Sequence, residues 1–437
     1  MERIIGIRRE DKNIWEKRTP LVPEDLKELA EKYNIKFIVQ SSKIRAFSDE
    51  EYKKVGAEVT EDLNKAEIIL AIKEIPKELF EKDKIYIFFS HTIKGQKHNM
   101  PMLKEIINKG ATLIDYERIV DDKGRRLIFF GKFAGYSGMI DTLWALGERL
   151  NYEKIEPNPF IEIKQTYKYK DLSDAKEAIK ELRKKIEKEG LPKELTPFII
   201  GFAGYGNVSQ GAQSIIDVLP IEELSPSSLK EFFESKSYSN KKVYKVVFKE
   251  EDMVEPIDKS IKFELYDYYN HPEKYKGRFE IYLPYIKVLI NAIYWESKYP
   301  RLVTKKWLKE NWRKEKHILK VIGDISCDIE GAIECTVKAT SPDNPVFVYE
   351  VSTGKIIDGV KGDGPVILAV DNLPCELPIE SSKEFSSVLK RFIPEIAKAD
   401  FTKSFEQLEL SPEIKRAIIV YHGKLTPNYE YLNKYLE

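Results

Sequence analysis

Cysteine and histidine are scarce in this chain of 437 residues, which has three cysteines, Cys327, Cys335 and Cys375, and five histidines. An odd, sparse cysteine set argues against a disulfide framework and for reduced thiols, which points to the cytoplasm. With no Cys/His cluster at ligand spacing, no metal site is expected. A net charge of one sign is also missing, since 72 Lys plus Arg face 72 Asp plus Glu. That balance gives no electrostatic reason to expect nucleic acid or an anionic membrane as a partner. No apolar run is long enough to span a bilayer. The opening Met1-Glu-Arg-Ile-Ile-Gly-Ile7 lacks the basic and then apolar build of a signal peptide and reads as a strand. Internal repeats and low-complexity tracts are absent as well.

What remains is long and 42% hydrophobic, enough for two domains rather than one core. The first third alternates strand and helix signals. Ile4 to Ile7 is a short apolar strand, and Pro23 opens a helix with Leu26 and Leu29 on one face. Lys36 to Val39 is the next strand. Ser48 with Glu51 makes a capping box before a short helix. Strands follow at 68–72, 85–89 and 112–115. Apolar runs separated by helices indicate a parallel sheet covered on both faces. Residues 157–196 are charged and helical, with Ala175, Ala178, Ile179, Leu182 and Ile186 at helical spacing. A second α/β unit then begins with a strand at 198–202 and a helix from Asn207 to Leu219. Further strands are predicted at 243–248, 288–295, 319–325, 345–351 and 366–370. The segments 222–241 and 255–283 are polar or tyrosine-rich insertions without an assigned place. The fold class is α/β, with two doubly wound, Rossmann-like domains and a cleft between them.

The turn after the 198–202 strand reads Gly201-Phe-Ala-Gly204-Tyr-Gly206-Asn207-Val208-Ser-Gln-Gly211. Glycines there allow a tight turn and close approach to a pyrophosphate resting on a helix N-terminus. The spacing is not a strict G-x-G-x-x-G, so the strand–turn–helix context carries the reading. The strand at 243–248 runs into Lys249, Glu250, Glu251 and Asp252. An acidic residue there favours NAD and a basic one suits the 2′-phosphate of NADP. Both are present, so NAD and NADP both remain open. The bland reading of the same run is a solvated loop.

Functional groups of open α/β sheets sit just beyond the carboxyl ends of strands. Three successive N-terminal strands end in Lys73-Glu74, in Ser90-His91-Thr-Ile-Lys94, and in Tyr116-Glu117. If those strands are neighbours, Lys73, His91 and Glu117 converge, and Glu117 tunes the Lys73 amine for proton shuttling. Against this, Lys and Glu end many strands simply because strand ends are solvated. Arg18 precedes a helix, and Gly124-Arg125-Arg126 leads into Phe129-Phe130. Guanidinium groups beside a cleft are natural clamps for carboxylates.

Together these residues carry a resemblance. Glu16-Lys-Arg18-Thr-Pro-Leu-Val-Pro23, Ile72-Lys73-Glu74-Ile-Pro76, Phe89-Ser-His91-Thr-Ile-Lys94-Gly-Gln96 and Asp115-Tyr-Glu117 are similar to the lysine–ketoglutarate reductase domain of α-aminoadipic semialdehyde synthases. So are Gly124-Arg-Arg126, Gly204-Tyr-Gly206-Asn-Val-Ser, Ile293-Tyr294-Trp-Glu296, Gly323-Asp324-Ile-Ser326 and Val370-Asp371-Asn-Leu-Pro374. More distantly the chain resembles fungal lysine-forming saccharopine dehydrogenase and alanine dehydrogenase. The resemblance implies a substrate domain of residues 1–136 plus 377–437 and a dinucleotide-binding domain of residues 137–376. It implies Lys73 and His91 as the acid–base pair. Arg18, Glu74, Lys94, Glu117, Arg126, Phe130 and Asp371 would surround the substrate. Gly204, Gly206, Asn207, Val208, Lys249, Tyr294 and Asp324 would meet the cofactor, with NADPH favoured over NADH by the resemblance alone.

The implied reaction condenses L-lysine with 2-oxoglutarate and reduces the imine to saccharopine, or runs the reverse. The small molecules lysine, 2-oxoglutarate and saccharopine would be its partners, a homo-oligomer is allowed, and a separate saccharopine-cleaving enzyme is expected because the chain stops near where a second dehydrogenase domain would be linked. Two other readings stand beside it: a related amino-acid or opine dehydrogenase using another amine or keto acid, and a non-catalytic dinucleotide-sensing module.

Overall fold

A computed structural model describes residues 3–312 and 319–436. The chain forms two compact units, one of Met1–Phe130 with Pro378–Glu437 and one of Gly131–Leu377. Each is built on its own eight-stranded sheet with helices packed on it.

The sheet of the first unit runs, edge to edge, Lys424–Leu425, Ile418–Tyr421, Thr112–Asp115, Ile85–Phe88, Ile68–Leu70, Ile4–Ile7, Lys36–Gln40 and Glu58–Thr60. The last six are parallel; the two C-terminal strands join antiparallel. The central strands are buried on both faces, as expected of parallel strands under helices. Met1 and Glu2 of the opening segment lie outside the described residues. The expected strands at 68–72 and 85–89 end at Leu70 and Phe88, because Ala71 onward and Phe89 onward leave the ladder toward the site. The Ser48–Glu51 capping box has both of its hydrogen bonds.

The C-terminal segment is stitched to the N-terminal one by small hydroxyls. The helix Pro23–Tyr33 starts after Val22, whose side chain offers no cap. Its orphan N–H instead donates to Ser386 Oγ at 3.0 Å, and the Thr19 N–H donates to Ser382 Oγ at 3.0 Å. Phe385, Leu389, Ile393 and Ile396 of the same segment are buried in that core.

The sheet of the second unit runs Ile356–Asp358, Val346–Tyr349, Val366–Leu368, Val321–Asp324, Val288–Asn291, Phe198–Ala203, Val243–Phe248 and Ile221–Leu224. Six strands are parallel and the first two are antiparallel. The predicted 288–295 strand stops at Asn291, where the chain turns out of the sheet. The 222–241 segment supplies most of an edge strand and the helix Leu229–Ser235. The 255–283 segment forms a two-stranded patch, Val254–Pro256 with Tyr275–Gly277, around the helix Leu265–Asn270. The long helix Gly131–Glu153 packs closely on Asn207–Ile216. A Cβ on Gly211 would stand 2.3 Å from the Lys132 carbonyl oxygen, and one on Gly135 2.0 Å from that of Val208. Those two glycines therefore serve helix–helix contact.

No described helix is long and apolar enough to cross a membrane.

Candidate active site

In the first unit the strands ending at Leu70, Phe88 and Asp115 are consecutive neighbours. Parallel direction puts all their carboxyl ends on one edge, so Lys73, Glu74, His91 and Glu117 leave from the same side of the sheet. The strand ending at Ile7 is the next neighbour and brings Glu10. Glu10 is buried and grips the turn that carries Lys73: its carboxylate accepts the Ile72 N–H at 2.6 Å and the Lys73 N–H at 3.0 Å. Burial, and then the Glu16 charge, push this carboxyl up to about 7 against those two hydrogen bonds and Arg8.

His91 sits at φ +49, a left-handed conformation costly for a non-glycine residue. The strained turn aims its ring at Glu74, with Nδ1 2.6 Å from the Glu74 carboxylate. Asn99 Nδ2 donates to the His91 carbonyl at 3.0 Å, and Lys12 Nζ lies 3.0 Å from the other Glu74 oxygen. Burial alone would raise the Glu74 carboxyl, but the hydrogen bond and charge of His91, with Lys12, hold it far below the usual range. An ionised Glu74 requires Nδ1 to carry the proton and leaves Nε2 for exchange. The Lys73 amine is lowered by burial first and then by Arg18; Glu16 and Glu74 act against that shift.

The expected partnership of Lys73 with Glu117 is replaced by another. Glu117 is buried and ion-paired to Arg126, and its N–H donates to Asp115 at 2.7 Å. Asp115, raised to about 6 by burial, also takes hydrogen bonds from the Ser90 hydroxyl and backbone N–H. Arg18 is buried as well. Glu16 accepts from its Nε at 2.7 Å and Nη2 at 2.5 Å, and its guanidinium lies 4.2 Å over the Phe130 ring. Phe130 stacks on Phe385 at 4.8 Å between ring centres. Arg126 and Lys94 are exposed, and Lys94 follows His91 on the same loop. Glu10 and Glu16 were missed in the sequence. The strand-end logic that found Lys73 applies equally to Glu10, whereas nothing local marks Glu16 as the Arg18 partner.

In the second unit the carboxyl ends of Phe198–Ala203, Val243–Phe248 and Val288–Asn291 enclose a cavity of about 420 Å³. Gly204, Gly206 and Tyr294 line it. Gly204 is at φ +97, and a Cβ there would come within 3.0 Å of the Ala292 carbonyl oxygen. Gly206 begins the helix Asn207–Ile216 with no side-chain cap, and a Cβ on it would meet nothing within 4 Å. The space beside Gly206 at that uncapped helix start is open, which suits a phosphate. Asn207 is exposed and Val208 half-buried at the same helix start.

Asn207 and Val208 adjoin the cavity without lining it, and three further predicted residues stand apart from it. Lys249 is exposed, with its N–H donating to Asp252 at 2.9 Å. Asp324 is buried and accepts from Asn291 Nδ2 at 2.8 Å, Thr336 Oγ1 at 2.5 Å and the Cys327 N–H at 3.2 Å. Burial raises it to about 6. It braces the strand ends from within. Asp371 is exposed beyond the Val366–Leu368 strand, in this second unit. Glu250, Tyr268, Tyr269 and Tyr299 do line the cavity, a role their sequence context left open. Among the described residues, no group of three or more His, Cys, Asp or Glu is arranged to hold a metal ion.

Two doubly wound units with a glycine turn at a strand end define a dehydrogenase-type α/β protein, and the comparisons agree. Residues 6–137 match the alanine dehydrogenase/PNT N-terminal domain and residues 273–428 match the alanine dehydrogenase/PNT C-terminal domain. The chain belongs to that family. Within it, the chain is 39% identical to alpha-aminoadipic semialdehyde synthase of Arabidopsis thaliana, over 98% of this chain and 41% of that protein. It is 26% identical to the saccharopine dehydrogenase [NAD(+), L-lysine-forming] of Emericella nidulans, over 90% of this chain and 92% of that one. The chain spans less than half the length of the semialdehyde synthases it matches. Among solved structures, an L-alanine dehydrogenase superposes with a TM-score of 0.64 at 16% identity, covering 99% of this chain and all of that one. The resemblance read from the sequence motifs is therefore borne out at the level of family and fold.

Proposed function

We propose that this chain is a nicotinamide-dinucleotide-dependent reductase that joins L-lysine to 2-oxoglutarate and reduces the product to saccharopine, or runs the reverse. The observation that carries the reading is the Glu74–His91 pair, at 2.6 Å, next to a desolvated Lys73 on one sheet edge. The names of the relatives supply the substrates. In this reading the second unit binds the dinucleotide at the Gly204–Gly206 turn, and the free thiols favour a reducing compartment such as the cytoplasm.

The ε-amine of lysine must lose a proton before its nitrogen bonds to the keto carbon. His91 Nε2 is suited to take that proton, because the Glu74 carboxylate holds Nδ1–H and leaves Nε2 as the acceptor. The carbinolamine hydroxyl then leaves as water, and its extra proton comes from His91 or from the Lys73 ammonium, which burial makes a better acid. A bound dinucleotide supplies the hydride that reduces the imine carbon. Arg126 and Lys94 are the accessible cations for the keto-acid carboxylates, and Phe130 offers an apolar wall. Arg18 already holds Glu16, so its part is to fix Phe130 and to add positive potential. Within the second unit, Asp324 braces the strand ends beside the dinucleotide turn.

The test is turnover. Full-length protein with lysine, 2-oxoglutarate and NADH or NADPH should consume the reduced nucleotide and yield saccharopine by mass spectrometry. Equal use of pyruvate would favour another amino-acid dehydrogenase. Nucleotide binding without turnover on any amine and keto acid would favour a sensing module.

A further inference from the structure

The tyrosine-rich segment around residues 255–283 is a feature that the reading above does not use. It forms its own small core from Val254, Tyr268 and Tyr275, with Phe263 and Tyr299 packed on it. That core builds a wall of the cavity whose floor is Gly204 and Gly206. Tyr268 meets the Tyr275 ring edge-on and the Tyr299 ring at a tilt, each at 5.3 Å between ring centres. An insertion that only extended the surface would have no reason to turn phenol rings toward a phosphate-type turn. The Tyr268, Tyr269 and Tyr299 rings that line the cavity beside such a turn offer a surface for a flat aromatic base.

The same wall controls a carboxylate. Glu250 is the second residue after the strand Val243–Phe248, the position from which a dinucleotide-binding sheet reads the adenosine ribose. It lines the cavity, and Tyr269 of the insertion donates its hydroxyl to Glu250 at 2.6 Å. A phenol can donate to a carboxylate and cannot neutralise it, so the bond fixes the side chain and keeps its charge. Burial, followed by the hydrogen bond and charge of Glu250, raises the Tyr269 hydroxyl, as expected beside an ionised carboxylate. The neighbouring cations look elsewhere. Lys249 is exposed outside the lining, and Arg278 faces Asp252 and Tyr282.

We infer that Glu250, clamped by Tyr269 of the tyrosine insertion, is the specificity-determining residue of the cofactor site and selects NAD(H) against NADP(H). The inference rests on the proposed dinucleotide site and deepens it, and it reverses the NADPH preference that resemblance alone suggested. A ribose 2′-hydroxyl can donate to Glu250. A 2′-phosphate placed there would meet a fixed like charge, with no Lys or Arg among the described residues that line the cavity, which is discrimination by repulsion.

The experiment is equilibrium binding of NADH and of NADPH to the full chain by nucleotide fluorescence, for wild type, Glu250→Gln and Tyr269→Phe. Wild type should bind NADH at least about tenfold tighter than NADPH. Glu250→Gln should bring the two affinities to within about threefold, mainly by strengthening NADPH. Tyr269→Phe should move the ratio the same way by a smaller factor, with circular dichroism unchanged. Wild type binding both nucleotides equally, or NADPH more tightly, overturns the inference and leaves the dinucleotide site standing. So does a Glu250→Gln ratio equal to wild type. Failure of both nucleotides to bind overturns the site reading as well.

Discussion

Replacing Glu10 with Gln should change how stability depends on pH. The Glu10 carboxyl is buried, holds the backbone of Ile72 and Lys73, and is raised from 4.5 to about 7 by burial and Glu16. Between those two values the folded chain keeps a proton that the unfolded chain releases. The stabilisation is therefore complete below about 4.5 and is lost as the pH rises through about 7. At about 1.4 kcal/mol per pH unit, that interval corresponds to roughly 3 kcal/mol as an upper value. Glutamine carries no titrating proton, so this slope vanishes in the variant. The amide also lacks a second acceptor for the Lys73 N–H, so the variant should be the weaker protein at pH 5 and should overtake wild type toward pH 8. The assay is urea unfolding of both proteins at several pH values, followed by tryptophan fluorescence. Asp115 and Asp324, both raised to about 6, titrate in wild type and variant alike and cancel in the difference. Two stability curves running parallel from pH 5 to pH 8 would refute the assignment of a protonated, buried Glu10.

Three further outcomes are expected. Glu74→Gln removes the anionic partner of His91, a charge-assisted hydrogen bond of about 1.5–3 kcal/mol, so kcat/KM should fall about 10- to 100-fold with NADH binding intact; wild-type kinetics would take the pair out of the mechanism. Gly206→Ala should leave the melting temperature unchanged and weaken nucleotide binding, whereas Gly211→Ala should cost about 1–3 kcal/mol because its Cβ meets the Lys132 carbonyl oxygen; calorimetry and nucleotide titration separate the two. Arg126→Lys keeps the charge and loses the two-pronged geometry, so steady-state kinetics should show a raised KM for 2-oxoglutarate and a smaller change for lysine.

Much of this framework is legible in the sequence, for a physical reason. Buried parallel strands must be apolar on both faces, so runs such as Ile68–Leu70 and Phe198–Ala203 stand out from their charged surroundings. Ser48 and Glu51 satisfy each other within four residues, so their cap needs no tertiary information. The helix Gly131–Glu153 is different. It is buried on most of its surface, including Asp141, Thr142 and Arg149, so it has no single apolar stripe to detect. The site divides in the same way. Strand ends can be found from the apolar runs, which is why Lys73, His91 and Glu117 could be named. Their partners depend on the bends beyond those ends. Lys73 and Glu74 are adjacent, yet Glu74 meets His91 while the Lys73 N–H is held by Glu10, and Glu117 goes to Arg126. Periodicity carries no information about such choices.

The two units show why the family fold does not by itself decide the chemistry. Both present the carboxyl ends of parallel strands, the place where α/β sheets gather function. In the first unit that edge holds Glu10, Glu16, Arg18, Lys73, Glu74, His91 and Glu117, arranged so that nearly every charge has an opposite beside it. Such an edge is costly to desolvate when a partner is removed, and it suits a substrate that brings its own charges and trades them. In the second unit the cavity at the corresponding edge is lined mainly by glycine, tyrosine and apolar side chains, with the fixed carboxylate of Glu250. That edge offers close backbone approach, stacking surface and one sign of charge. An L-alanine dehydrogenase shares the scaffold at 16% identity, and the fold alone leaves the chemistry of the site open. In this chain Arg126 is held out on a buried Glu117. Under the proposed reaction, a substrate with two carboxylates can take Arg126 from Glu117 with one and approach the exposed Lys94 with the other. A substrate with one carboxylate satisfies a single cation and leaves the others to the protein's own acids. Under the proposed reaction, the choice of keto acid lies in how many of those internal ion pairs a ligand can replace, and the sheet beneath them is indifferent to it.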